Sequence, residues 1–178
     1  MKKNRRQILW PRIRSSWRGR LALLGATFFG SGLLPRAPGT WGSLFALPVW
    51  WLAGSLAPWA WALLWLSLST WGVWASMVFD ELNETQDNQN IVMDEATGVG
   101  LAALTCHGHW GLLFCAFLLF RTFDIIKPWP VSLVDRWSHQ SPSPLRRGLG
   151  VMADDWVAGL QALALIWMAQ YFGWLPLG

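Results

Sequence analysis

Residues 37–79 run for 43 positions without one Asp, Glu, Lys or Arg, and two further charge-free runs follow at 96–120 and 156–178. A helix needs about 20 apolar residues to cross the hydrocarbon core of a bilayer. The first run is long enough for two crossings, and "SLAPWAW" at 55–61 places a Pro midway for the turn. The third run fits one crossing. Lipid offers backbone N–H and C=O groups no partner, so such segments must be helical unless they close a barrel. The chain carries 16 Trp, many near the ends of these runs, as interfacial belts require. Charged residues are only 13% of the chain, against about a quarter in an ordinary soluble domain. These features predict an all-α fold, an integral membrane helical bundle with several short helices.

Charge divides the chain unevenly. Eight of its 14 basic residues, Lys2, Lys3, Arg5, Arg6, Arg12, Arg14, Arg18 and Arg20, lie in the first twenty positions, with no acid among them. The expected organisation is a basic arm at 1–20 and a single membrane-embedded domain at 21–178. Next to so apolar a body, the arm suits anionic lipid headgroups, and no nucleic-acid partner is expected. Residues 21–35 follow the arm as a signal sequence would, but "LLPRAPGT" comes next in place of a small-x-small cleavage site, so the segment reads as a short helix or surface element of the mature protein. Cys106 and Cys115 both fall in an apolar run and read as small buried hydrophobes. "SHQSPSPLRRG" at 138–148 reads as a loop.

The ten acids form four groups: Asp80, Glu81, Glu84 and Asp87; Asp94 and Glu95; Asp124 with Asp135; Asp154 and Asp155. Each stands at or near the end of an apolar run. A single carboxylate there reads first as a helix cap. Asp94–Glu95 and Asp154–Asp155 are doubled, however, and a cap needs one. Both pairs precede small residues, in "DEATG" and "DDWVAG", which let another backbone or a ligand come close. Converging carboxylates beside a membrane suit Mg2+, which takes a few carboxylates, water and substrate phosphate.

Basic residues of the body complete a phosphate site. "LFRTFDIIKPWP" at 119–130 sets Arg121, Asp124 and Lys127 at spacing three, on one helical face, with Pro128 ending the helix. The same spacing also suits a structural ion-pair strip. Upstream, "PRAPGTWGS" at 35–43 flanks Thr40 with Gly39 and Gly42 and can present N–H groups and hydroxyls to a phosphate at a helix start.

In order and spacing, "LPRAPGTWGSLFALP", "MDEATG", "FRTFDIIKPWP", the Asp135–Arg136 pair and "GLGVMADDWVAG" resemble the phosphatidylglycerophosphatase A family across about residues 30–159. The resemblance implies an all-helical, Mg2+-dependent phosphatase that removes the terminal phosphate of phosphatidylglycerophosphate, giving phosphatidylglycerol and inorganic phosphate. Where that family usually carries a second Gly before "GLG", this chain has Arg147. On this reading Asp94, Glu95, Asp124, Asp154 and Asp155 hold metal and, with Lys127, form the catalytic set. Arg36, Gly39, Thr40, Gly42, Arg121, Asp135 and Arg136 bind substrate phosphate. The site would lie at the membrane surface, where a headgroup arrives while its tails stay in the bilayer, on the cytoplasmic side of a bacterial inner membrane crossed several times.

Other classes fit less well. A His-dependent lipid phosphatase needs a Lys/Arg-rich signature that His107 and His109 lack. A CDP-alcohol phosphotransferase needs a denser aspartate array. A channel or assembly factor would line helix interiors with its acids. The expected topology makes 37–79 a hairpin and folds 96–120 back on itself at "CHGHWG", which keeps both acid pairs on one side. A crossing at 21–35 would put them on opposite sides.

Overall fold

In the computed structural model the described residues are 6–139 and 144–176, excluding the side chains of 137–139, 144 and 147. Part of the loop expected at 138–148 and the side chain of Arg147 therefore lie outside the described residues. Eight α-helices follow one another: α1 (Trp10–Arg14), α2 (Trp17–Ala26), α3 (Pro38–Ala53), α4 (Pro58–Asn83), α5 (Met93–Ala102), α6 (Trp110–Ile126), α7 (Val131–His139) and α8 (Pro144–Tyr171). A 3₁₀ turn, Ser31–Leu33, precedes α3, and no strand occurs among the described residues. The fold is all-α, as the charge-free runs require.

Local chemistry sets the helix ends. Pro38 and Pro58 open α3 and α4 at first-turn positions, where a missing N–H costs nothing. Lys127 ends α6 in the left-handed conformation at φ 49°, directly before Pro128. The expected loop at 138–148 is shorter than its Ser and Pro content suggested. Residues from Pro144 onward already belong to α8, because Pro is tolerated in a helix's first turn.

α3 and α4 are consecutive, but α5 lies between them. Trp50 of α3 donates its indole N–H to Ala96 O at 2.7 Å, and Trp65 of α4 donates to Thr97 O at 3.0 Å. α5 also crosses α8 at close quarters: a Cβ on Gly159 would collide with Gly98 O, and one on Gly98 would stand 2.8 Å from Asp155 O. These are the small residues that follow the two doubled acids in sequence. The α5–α6 connection sits at the far end of the bundle, where Trp51 donates to Gly108 O and Gln170 donates to Thr105 O at 3.3 Å. The starts of α3 and α5, the end of α6 and the acids of α8 consequently share one end.

Among the described residues two helices are long and apolar enough to cross a membrane, Pro58–Asn83 and the Gly148–Tyr171 portion of α8. Their outward faces are apolar: Trp59, Leu63 and Leu66 on α4, and Leu160 and Trp167 on α8, are half or more exposed. Phe114 and Leu118 continue that surface on α6. Apolar faces this extensive mark contact with lipid or protein. Trp59, Trp110, Trp167, Tyr171 and Trp174 cluster toward the end remote from the acids, in the manner of an interfacial belt. Together these features associate the protein with a membrane.

The basic segment does not hang free from Arg6 onward. Ile13 is wholly buried in a small core with Ala26, Ala75, Phe79 and Ile91. Leu9 donates its N–H to Asn83 Oδ1 at 2.6 Å, and Arg12 pairs with Glu84 at 2.6 Å.

Candidate active site

The doubled acids meet where α5 crosses α8. Asp94 and Glu95 occupy the first turn of α5, and the Gly98–Gly159 contact brings α8 close enough for Asp155 to reach them. Carboxylate oxygens of Asp94, Glu95 and Asp155 lie within 4.8 Å of one another. Asp124, in the last turn of α6, comes within hydrogen-bond reach of Asp155. Asp154 and Asp155 are buried ten and eleven residues into α8, past its first turn, so they cap nothing.

Two cations answer this cluster. Arg121 Nη1 pairs with Asp124 Oδ2 at 2.5 Å and approaches Glu95 Oε1 at 3.7 Å. Lys127 Nζ bonds Asp154 Oδ2 at 2.7 Å and also pairs with Asp135 of α7. Arg121 and Asp124 thus pair along α6, whereas Lys127, past the helix end, turns to carboxylates of α7 and α8. Six carboxylates, Asp94, Glu95, Asp124, Asp135, Asp154 and Asp155, stand around two cations.

That imbalance shows in the protonation of the groups at the start of α5. Burial, then the neighbouring Glu95, Asp155 and Asp154 charges, hold the Asp94 carboxyl well above the usual carboxylate range. Burial also raises Glu95, against the pull of the Asp94 hydrogen bond and the Arg121 guanidinium. Lys127 behaves in the opposite sense. Burial disfavours its charge, yet the hydrogen bonds to Asp135 and Asp154 overcome that penalty and hold the ammonium above its ordinary range.

The donor set fits a divalent cation. Glu95 Oε2 is buried and makes no hydrogen bond among the described residues. An acceptor left bare among like charges is what a hard oxygen-seeking cation would satisfy. Asp94, Glu95 and Asp155 could hold it. Asp124 and Asp154 stand beside them, each engaged by a cation.

The start of α3 borders the cluster. A Cβ on Gly39 would collide with Glu95 Oε1 and lie 3.2 Å from Arg121 Nη1. Thr40 follows on the same turn, partly exposed. Gly42 faces Val92, where a Cβ would come within 2.6 Å of its Cβ, so it serves the α3–α5 junction. Arg36 and Arg136 are exposed at the margins, and Asp135 spends its carboxylate on Lys127. Arg121 Nε is buried with no hydrogen bond among the described residues, a donor free to meet an incoming oxygen. Gly98 and Gly159 were legible as small residues behind the acids. The Trp and Thr side chains that bond α5 had no such signal in a chain with 16 Trp.

Comparison with known proteins places the chain in a family. The sequence model of the family described as phosphatidylglycerophosphatase A matches residues 24–170. The chain is 35% identical over 155 residues to phosphatidylglycerophosphatase A of Escherichia coli (strain K12), covering 86% of this chain and 84% of that one. It is 35% identical over 164 residues to the protein of the same name from Haemophilus influenzae, covering 83% and 87%. A Bacteroides thetaiotaomicron protein with a provisional phosphatidylinositol-3-phosphatase name is 36% identical over 160 residues, covering 85% and 94%. No solved structure matches the chain. Five sequence blocks, the matched span and these relatives give one result: the chain belongs to the phosphatidylglycerophosphatase A family, whose members are phosphoric monoester hydrolases.

Proposed function

We propose that the protein is a Mg2+-dependent lipid phosphatase that hydrolyses phosphatidylglycerophosphate to phosphatidylglycerol and inorganic phosphate. The observation that carries this reading is the convergence of Asp94, Glu95 and Asp155 within 4.8 Å, with Glu95 Oε2 bare. Residues 21–178 act as one membrane-embedded phosphatase unit, and 1–20 as a basic segment facing anionic lipid. The chain crosses a bacterial inner membrane more than once, with the acid-bearing end at the cytoplasmic surface.

Hydrolysis joins a water oxygen to phosphorus and breaks the bond to the ester oxygen, which leaves with a proton. When bound, Mg2+ supplies Lewis-acid polarisation of the phosphoryl oxygens. Asp94, Glu95 and Asp155 hold it, and Asp124 and Asp154 complete the acidic wall. Arg121, with its Nε unpartnered, would bind a phosphoryl oxygen, and Lys127, kept cationic by its two carboxylates, offsets charge as it builds. The first turn of α3, with Gly39 and Thr40, offers N–H groups and a hydroxyl to remaining phosphate oxygens. Gly42, Arg36 and Arg136 border that turn and the headgroup path. Asp135 acts through Lys127.

A second reading, that the substrate is another lipid phosphate monoester, draws on the provisional name of the Bacteroides relative. Phosphate release by the purified chain in detergent separates the two. Rapid release from phosphatidylglycerophosphate with Mg2+, none after chelation, and slow release from phosphatidic acid and phosphatidylinositol 3-phosphate are expected. Equal rates on all three would overturn the assigned substrate, and full activity after chelation would overturn the metal.

A further inference from the structure

Three indoles from three helices converge just behind the acid pair. Trp50 of α3 donates to Ala96 O at 2.7 Å, Trp65 of α4 to Thr97 O at 3.0 Å, and Trp156 of α8 to Thr97 Oγ1 at 3.0 Å. The Thr97 hydroxyl, which accepts from Trp156, donates onward to Asp94 O at 3.1 Å. Trp65 and Trp156 also pack ring to ring, with centroids 5.4 Å apart. A buried indole N–H must find some acceptor, and any carbonyl would serve. Here all three choose consecutive residues, 96 and 97, the next two after Asp94 and Glu95. The carbonyls of an α-helix have a second lone pair to give, so these bonds are added without breaking the helix.

We infer that Trp50, Trp65, Trp156 and Thr97 are positioning residues that hold the first turn of α5 so that Asp94 and Glu95 present a preformed divalent-cation site. The inference rests on the metal reading above. Its physical reason is the repulsion within the cluster. Asp94 and Glu95 face Asp155, Asp154 and Asp124, and α5 is a helix of only ten residues. With nothing holding it, that short helix would move its acids away from those of α8 until a cation arrived, and binding would have to bear the reordering. The clamp ties α5 to three of the helices packed against it, α3, α4 and α8, and through the Thr97 hydroxyl it reaches the backbone of Asp94 itself.

The test measures cation binding and does not depend on turnover. Purified full-length protein in detergent is titrated with Mn2+, a paramagnetic stand-in for Mg2+, and free Mn2+ is read by electron paramagnetic resonance. Thr97→Val, which removes both bonds of the hydroxyl at nearly constant volume, and Trp156→Phe, which removes the indole donor with part of the ring, should each weaken Mn2+ binding roughly tenfold, the scale of outer-shell losses at metal sites. Thr97→Ser restores the hydroxyl and should bind like the parent. Thr70→Val deletes a hydroxyl that bonds only its own helix, to Leu66 O, and should change nothing. A purely structural role would lower the metal-free melting temperature and leave Mn2+ affinity in place. Trp156→Phe carries the test whether or not Thr97→Val folds. Parent-like affinity in both, or weak binding in Thr97→Ser, overturns the clamp. If the parent and Asp155→Asn titrate alike, the metal site itself is wrong, which separates that failure from failure of the clamp.

Discussion

Two acidic regions sit at the same end of the molecule and are treated oppositely by the fold. At the end of α4, Asp80 accepts from Thr85 Oγ1 at 2.7 Å, from Asp87 N–H at 2.8 Å and from Asn88 N–H at 3.1 Å. Glu81 and Glu84 lie near Arg18 and Arg12. Each of these carboxylates is answered by protein, and the result is a turn that docks α1. At the α5–α8 crossing, acids face acids and Glu95 Oε2 is answered by nothing among the described residues. Sequence shows two clusters of similar charge density. Satisfaction separates them: a satisfied acid builds structure, and an unsatisfied buried one is held ready for something that is not protein.

The largest effect that sharpens this contrast is Asp155→Asn. Turnover on phosphatidylglycerophosphate should fall by more than the roughly 100-fold that an outer-shell loss costs. The metal-free protein should melt no lower, because one of several mutually repelling carboxylates has gone. Near-parent turnover would erase the distinction between the regions.

The pH dependence of metal activation comes next. Asp94 and Glu95 keep protons to higher pH than ordinary carboxyls, and a cation must displace those protons. The Mg2+ concentration for half-activation should therefore rise as pH falls, beginning above the usual carboxylate range. The sign reverses for stability without metal. A folded-state pKa raised above the unfolded one stabilises at low pH, and that contribution disappears as pH rises through the raised value. Titrating activity against Mg2+ at several pH values, beside melting curves in chelator, checks both halves. A half-activating concentration independent of pH would contradict the charge assignment.

Asp80→Asn should do the reverse of Asp155→Asn. Losing charge-assisted bonds at a turn costs about 1–3 kcal/mol in chemical denaturation. Turnover per folded molecule should stay at the parent level, and a tenfold loss would place the α4 turn in the site after all. The smallest effect belongs to Arg12→Ala. Its pair with Glu84 is about half exposed on both sides, so about 0–1 kcal/mol is expected, and less in high salt. A larger loss would mean that the pair, more than the buried Ile13, fastens α1.

Much of the protein was legible without coordinates. Runs without charge determine helices in a membrane, because lipid leaves backbone groups no other partner. Pro38, Pro58 and Pro128 mark helix ends through the geometry of the ring. Arg121 and Asp124 share a face by the period of the helix, whereas Lys127, expected on the same face, follows the end of α6 in the left-handed conformation; the small residues behind the doubled acids allow a close approach, which proves to be the Gly98–Gly159 crossing. All of these are local rules, written within a few residues. Four things were not: that α5 lies between consecutive α3 and α4, that Ile13 of the basic segment is core, that Asp135 serves Lys127, and that Trp50, Trp65 and Trp156 choose residues 96 and 97. Each depends on which distant segments become neighbours, and a side chain's partner across the bundle leaves no trace in its own sequence surroundings. Burial decides the rest. Asp80 and Asp94 each precede a Glu, and packing leaves the first with three donors and the second among acids.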